Sequence, residues 1–537
     1  TGSGNIGIGT LALYSNTTGQ SNMAIGWKAL NENDEGSDNV AIGSGSLRLS
    51  RGNRNTAVGG SSLGLTDSGN DNTAFGHYSL VFNKGGNFNV GLGSSALYSN
   101  QSGNNNVAIG FKSLYSNTDG TQNVAVGDQA VFANTTGANN TGIGALALYS
   151  NTIGIQNVAI GDRAVYANTT GSGNIGIGTL ALYSNTTGSN NVGHGTEALY
   201  SNTLGVKNLA LGYRALYQNS AGDNNLAFGY KSLFANTTGN NNIAIGADSL
   251  IANTIGSSNI AIGMDSLIAN TSGGANIAVG QGALTRNTEG FWNTAIGSYA
   301  LRENLTGGGN IALGRYALYG NVSGSDNLGV GNNTLYANST GYRNMAIGTQ
   351  ALWRNTTGYD NIAIGHQALI GSTTGNNNVA IGHYSGSANP TGYSNTSIGN
   401  NAGPAGEFHN TTSIGAGAYA SGNDTIRLGN SSVTSINGNV LFSSTSDRRL
   451  KKKIINTRYG LKTVLALRPV DYQMRFNGLE QLGFIAQELQ PIVPEAVTGI
   501  EGDLDKGESL GIAYSALIPV LTKAIQEQQA LIENQQQ

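Results

Sequence analysis

Ser446 and Lys451 stand five residues apart in Ser446-Asp447-Arg448-Arg449-Leu450-Lys451. A hydroxyl and an amine at that spacing can act as nucleophile and base if the fold brings them together. A lysine that accepts a proton must be neutral, which burial or neighbouring cations favour. Arg448, Arg449, Lys452 and Lys453 supply such cations. Taken alone, the same residues also suit a basic, solvated stretch. Other reactive groups are sparse. The chain has no Cys, which excludes disulfides and thiolate metal sites. His77, His366 and His383 share one position of a repeat, but a metal needs three or more converging ligands and acids are few nearby. No carboxylate pair recurs of the kind glycoside hydrolysis uses. We therefore expect no metal and no cofactor.

The frame that must carry these groups is a repeat. Asn-x-Ala-Ile-Gly occurs 24 times between Asn5 and Asn395, in steps of 17 residues with a single step of 16 from Asn39 to Asn55. A period this strict reads as one turn of a stacked solenoid per copy. The fuller consensus is Asn-x-Ala-Ile-Gly-x-x-Ala-Leu-Tyr-x-Asn-Thr-Thr-Gly-x-x. Alternation in the first segment predicts a strand, with x and Ile on one face and Ala on the other. The Leu column suggests a second short strand, and Gly and Asn-Thr-Thr-Gly supply turns. Parallel stacking would bury the Ile and Leu columns and let the Asn column hydrogen-bond as a ladder. Small Ala and Gly beside Ile suggest close approach of another subunit, in a trimer. His194 replaces Ile in that column and reads as an interior, hydrogen-bonded residue. Asn-Thr-Thr also fits the glycosylation pattern, as at Asn16 and Asn134, although tight-turn composition explains it equally.

The position after the motif Gly varies from copy to copy, which suggests an exposed column. Its aromatics Trp27, Phe111, Tyr213 and Tyr230 are candidate receptor-binding residues, able to stack on sugar or protein. The bland reading of that column is a solvent-facing position under no packing constraint.

Three regions follow: a repeat solenoid over 1–415, a β neck over 416–442 and a charged, partly helical domain over 443–537. Net charge is −3 and charged residues make up 11%, so no basic surface suited to nucleic acid is expected. No apolar run reaches membrane-spanning length, so membrane insertion is not expected either. Thr1–Gly19 is identical to Thr170–Gly188, from which we expect native sequence to precede Thr1. Ile518, Leu521, Ile525, Gln528 and Ile532 alternate by three and four, a coiled-coil seam, with Ser515 placed to cap the helix.

The repeat phrase resembles the head repeats of trimeric autotransporter adhesins, which implies a trimeric parallel β-roll over about residues 1–415. The last region carries Ser-Asp-x-Arg-x-Lys-x-x-Ile from Ser446, Ala466-Leu467-Arg468-Pro469-Val470, Leu482-Gly483-Phe484-Ile485-Ala486-Gln487-Glu488, Val493-Pro494-Glu495 and Tyr514-Ser515-Ala516-Leu517, in that order. Together these resemble the intramolecular chaperone domain of phage tailspikes and tail fibres, the S74 peptidase family. The resemblance implies a domain that trimerises, templates the β-fibre and then cuts itself off. It makes Ser446 the nucleophile, Lys451 the base, Asp447 and Arg449 supporting residues, and Thr445–Ser446 the bond cut.

A parallel rod of near-identical turns can pair one turn out of register at little local cost, so a terminal trimer that levels the chains answers a folding problem. The sequence is therefore read as mainly β, a trimeric parallel β-solenoid with a small α+β C-terminal domain ending in a coiled-coil helix. Its expected role is a homotrimeric fibre that attaches to a host-surface glycan or protein, on a virion tail or outside the cell. A bacterial surface adhesin or extracellular filament with a borrowed chaperone is the alternative, and a glycan-degrading tailspike a weaker one.

Overall fold

The computed structural model describes residues 2–433, 436, 446–475, 478–502 and 509–536. It divides into two units, 1–342 and 343–537. The repeat region is a parallel β-solenoid with one three-residue strand per turn, beginning with Ile6–Ile8, Met23–Ile25 and Val40–Ile42. In the first unit each strand pairs in parallel with the next at equivalent positions, as in Ile243↔Ile260 and Ala244↔Ala261. In the second unit the strands Met345–Ile347, Ile362–Ile364, Val379–Ile381 and Thr396–Ile398 pair in the same way. The degenerate copy continues the stack as Thr412–Ile414, and Ile426–Leu428 follows it.

The strand faces are the reverse of the expected burial. Ala108, Ala159 and Ala261 are fully buried, whereas Ile109, Ile160 and Ile262 lie about two-fifths exposed. Alternation did separate the residues into two faces. The small residue points inward because little room lies beyond it: a Cβ on Gly193, at the Ala position, would already lie 3.1 Å from the Ala198 carbonyl oxygen. The Ala column is therefore not a surface another subunit could approach; the Ile column is. His194, in the Ile column, is exposed rather than interior.

The Leu segment is not a second strand. Lys112 and Leu114 both adopt left-handed backbone, at φ 50° each, and equivalent pairs recur along the solenoid. Lys112 N donates back to Ser94 O at 3.0 Å, and Leu114 N donates forward to Ala130 O at 2.9 Å. The segment thus bonds to both neighbouring turns without extended geometry. A left-handed non-glycine residue costs roughly 1–2 kcal/mol. Full burial of a Leu side chain returns about 2 kcal/mol, and Leu114 is fully buried. The balance is close, so this backbone depends on the stacked turns on either side. The motif glycine is held more rigidly: Gly127 sits at φ 135°, and a Cβ there would meet Gly144 O at 2.5 Å.

Two asparagine ladders run through the interior. Asn106 Oδ1 accepts from Asn123 N at 3.0 Å and from Asn123 Nδ2 at 3.1 Å, and Asn106 Nδ2 donates to Gly120 O at 2.8 Å. This is the ladder expected of the motif Asn. The Asn of Asn-Thr-Thr forms a second: Asn117 Nδ2 donates to Asn100 Oδ1 at 2.8 Å and to Gly120 O at 2.9 Å. Asn134 in this ladder is fully buried, so its role is structural and it offers no acceptor for a glycan.

The single 16-residue step shortens this second turn. Asn39 Nδ2 reaches Gly52 O thirteen residues on, where Asn22 reaches Gly36 O fourteen on. Strand register is kept, with Val40 opposite Thr56. Ser50 and Thr66 stand in the second ladder there, and their hydroxyls and Asn33 Oδ1 find no partner among the described residues.

The C-terminal domain holds two small antiparallel pairs, Val470–Gln473 with Glu480–Gly483 and Val497–Gly499 with Leu510–Ile512. Its helices are α1 (Leu461–Ala466), α2 (Ala486–Leu489) and α3 (Ile518–Gln536). Leu489, Val493, Ala496, Leu517 and Val520 form the core. Helix α3 begins after a 3₁₀ turn at Tyr514–Leu517, so Ser515 lies inside that turn instead of capping the helix. It buries Val520 and Ala524, while Ile518, Leu521, Ile525 and Ile532 of the seam are exposed. No described helix is long and apolar enough to cross a membrane.

Candidate functional site

Asp447 organises the start of the C-terminal domain. Its carboxylate accepts from Arg449 N at 2.8 Å and caps the 3₁₀ turn Arg448–Leu450. The Arg449 guanidinium returns to the same carboxylate at 2.6 Å. That contact, followed by the backbone bond, holds the Asp447 carboxyl below its usual range and raises Arg449. The turn reverses the chain so that Lys451 Nζ donates to Ser446 Oγ at 2.6 Å. A five-residue spacing would hold these groups apart on an extended chain; the capped turn closes it. Both side chains are exposed within the single chain. Thr445, the other half of the expected scissile bond, lies outside the described residues, as does most of the neck from 434 onward.

The remaining motifs meet in the fold of the same domain. Arg468 Nε donates to Glu488 Oε2 at 2.8 Å, with a second contact from Nη2 to Oε1, which lowers the Glu488 carboxyl. Tyr459 Oη donates to Glu495 Oε2 at 2.6 Å, and Arg458 Nη2 adds 3.0 Å to Oε1; the tyrosine bond is the main cause that holds Glu495 low. Phe484 N donates to Tyr514 Oη at 3.2 Å. Gly483 leaves room for that hydroxyl, which a Cβ there would displace. Glu527 of α3 accepts from Leu461 N at 2.8 Å, capping α1 from across the domain. The motifs thus encode a small scaffold held by ion pairs and caps, with Ser446 and Lys451 at its entry.

The four candidate receptor-binding aromatics are all exposed: Trp27, Phe111, Tyr213 and Tyr230. Each is followed by a cation that lies near its ring, Lys28 at 4.6 Å, Lys112 at 5.1 Å, Arg214 at 5.0 Å and Lys231 at 5.2 Å from the centroid. The aromatic–basic dipeptide after the motif Gly was the available sequence signal for this pairing. Tyr213 and Tyr230 stack on each other at 5.6 Å, and Arg214 also pairs with Glu197 at 2.6 Å. His366 and His383 stack at 5.0 Å. No group of three metal-binding side chains occurs among the described residues.

Sequence reasoning passed over the consensus Tyr. From Tyr98 through Phe234 nine consecutive rings stack, with centroids 4.8–5.2 Å apart and planes within 11°. The interrupted column Tyr14, Asn31, Arg48, Gly64, Val81 precedes it.

Comparison with curated proteins finds no match to this chain. Residues 446–498 match the Peptidase_S74 family model, described as chaperone of endosialidase. The matched segment begins at Ser446 and includes Lys451 and the Arg468–Glu488 pair. The chain therefore carries a chaperone-of-endosialidase domain at its C-terminus, behind a parallel β-solenoid of 17-residue repeats.

Proposed function

We propose that this chain is the subunit of a homotrimeric attachment fibre, displayed on a virion tail or outside the cell. Its region 443–537 aligns three chains, promotes folding of the solenoid and then releases itself by one self-cleavage. The contact that carries the cleavage reading is Lys451 Nζ on Ser446 Oγ at 2.6 Å. In this scheme Lys451, as the neutral amine, takes the Ser446 hydroxyl proton. Ser446 Oγ attacks the carbonyl carbon of Thr445, and the peptide C–N bond breaks as the ester C–O bond forms. The proton passes to the freed Ser446 amine, and water then hydrolyses the ester. Asp447 and Arg449 position the pair through the capped turn. The exposed stripe on α3 supports chain association, since it offers an apolar face that its own domain does not cover.

Expression of the full chain tests this reading. The 55.1 kDa polypeptide should yield a solenoid fragment of about 45 kDa on denaturing gels and a released fragment of about 10 kDa whose amino terminus is Ser446. Ser446→Ala and Lys451→Ala should each leave the chain uncut while light scattering still reports a trimer. Cleavage that persists in both variants removes the dyad.

A further inference from the structure

The stacked-ring column has a gap, and the gap is a cleft. Between Trp27 and Tyr98 the ring position is taken by Asn31, Arg48, Gly64 and Val81, and a groove of about 380 Å³ lined by the last three opens across those turns. At roughly 4.8 Å per turn, the four steps from Trp27 to Tyr98 make it about 19 Å long. The rings around it do not stack face to face. Phe82 meets Tyr98 edge-on at 79°, and Tyr78 meets Tyr98 edge-on at 84°. In the continuous ladder both faces of each inner ring are covered by its neighbours; here Trp27 carries Lys28 Nζ at 4.6 Å and Tyr78 meets His77 at 3.8 Å, and the rings stay partly open to solvent. Trp27 is 54% exposed, and Tyr78 and Phe82 are also open to solvent.

Charge in the cleft has one sign. Arg48 lines it, Lys28 sits beside Trp27, and no carboxylate is among the lining residues. No strand residue lines it either, so it lies apart from the outward Ile face. Flat apolar platforms with a guanidinium between them suit a ligand with sugar faces and an acid group. The absence of a lining acid argues against hydrolysis, which needs a general acid.

We propose that this cleft binds an acidic oligosaccharide, with Trp27, Tyr78 and Phe82 as stacking platforms and Arg48 holding a carboxylate. The proposal rests on the attachment reading and narrows it to one place on the fibre.

The test uses the full chain and a panel of uronic-acid and nonulosonic-acid oligosaccharides, each paired with its neutral methyl ester. Binding is followed by calorimetry. At least one acid should bind with Kd below about 1 mM, and its ester at least about tenfold more weakly. Trp27→Ala and Arg48→Gln should each weaken the acid at least about tenfold. For Arg48→Gln the difference between acid and ester should vanish. Tyr166→Phe, inside the continuous ladder, should bind as the parent does. The cleft proposal is overturned if no acid on the panel binds, or if an acid binds equally to parent, Trp27→Ala and Arg48→Gln. Adhesion of labelled fibre to host cells separates the two levels. Adhesion that survives both cleft variants removes the cleft but leaves attachment standing, whereas a parent fibre that adheres to no cell removes attachment itself.

Discussion

In the solenoid, apart from the short turn at Ser50 and Thr66, the buried asparagines find partners within their own turn or one turn away. In the C-terminal domain, outside its small core, several large apolar groups stand uncovered among the described residues. Leu450, Ile455, Leu465 and Leu482 are all more than 70% exposed, and so much of the α3 seam is open that only Val520 and Ala524 of that helix are buried. The solenoid interior, by contrast, is built from Ala, Leu and Asn that repeat turn after turn at zero exposure. The difference separates two sources of order. Turns are stabilised by copies of themselves, whereas the domain leaves exposed the apolar surface that the proposed trimer would cover. A repeat that satisfies itself says nothing about how many turns to skip, so the unsatisfied domain is the part able to set the level of one chain against another.

The comparison breaks most sharply at α3. Leu521→Gln with Ile525→Gln should abolish the trimer and lower the yield of soluble fibre, read by light scattering on the full chain. A trimer of unchanged stability would mean that the uncovered face has no structural use. Next in size is Asn174→Ala. It removes the acceptor of Asn191 N, a buried amide bonded at 3.0 Å, at a cost of about 1–3 kcal/mol. Hydrogen exchange should speed at Asn191 and its neighbouring turns while the C-terminal domain stays unchanged. Tyr166→Leu is a smaller perturbation, since it breaks two half-exposed stacks worth about 1 kcal/mol each at most. Near-ultraviolet dichroism should fall with little change in unfolding midpoint.

The smallest effect concerns pH. Arg449 depresses the Asp447 carboxyl, so its contribution is complete above the ordinary carboxylate value. It is lost only as pH falls through the lower value in the folded chain. The Arg449 amide resonance, in arginine-labelled chain, should therefore stay constant from pH 8 down to about 4 and move only below that.

Much of this was legible because repetition amplifies it. The strand, its parallel stacking and the motif-Asn ladder follow from a period and an alternation that recur too often to be chance. The burial of the strand faces was not legible, because alternation separates two faces without saying which is inside. That depended on the width of one turn, which leaves 3.1 Å between a Cβ at Gly193 and the Ala198 carbonyl oxygen. The left-handed Leu column was hidden for a related reason. Leu rarely adopts φ near 50°, and here it does so only because both neighbouring turns hold it. In the C-terminal domain the family resemblance, more than the spacing, singled out Ser446 and Lys451, and Lys451 Nζ lies 2.6 Å from Ser446 Oγ. The capping role of Asp447 was not drawn, although Asp before a short turn is a common cap. The aromatic–cation dipeptides were in plain view at 27–28, 111–112, 213–214 and 230–231, but their meaning needed the ring distances.

Along most of the solenoid each turn bonds to its neighbouring turns through equivalent partners. For the gene this makes whole turns interchangeable units of inheritance. Unequal recombination between near-identical stretches, such as those encoding Thr1–Gly19 and Thr170–Gly188, adds or removes multiples of one repeat without creating a new interface. Fibre length can then drift among descendants while the terminal domain, encoded once, stays fixed. Reach becomes a trait that selection can tune in discrete steps.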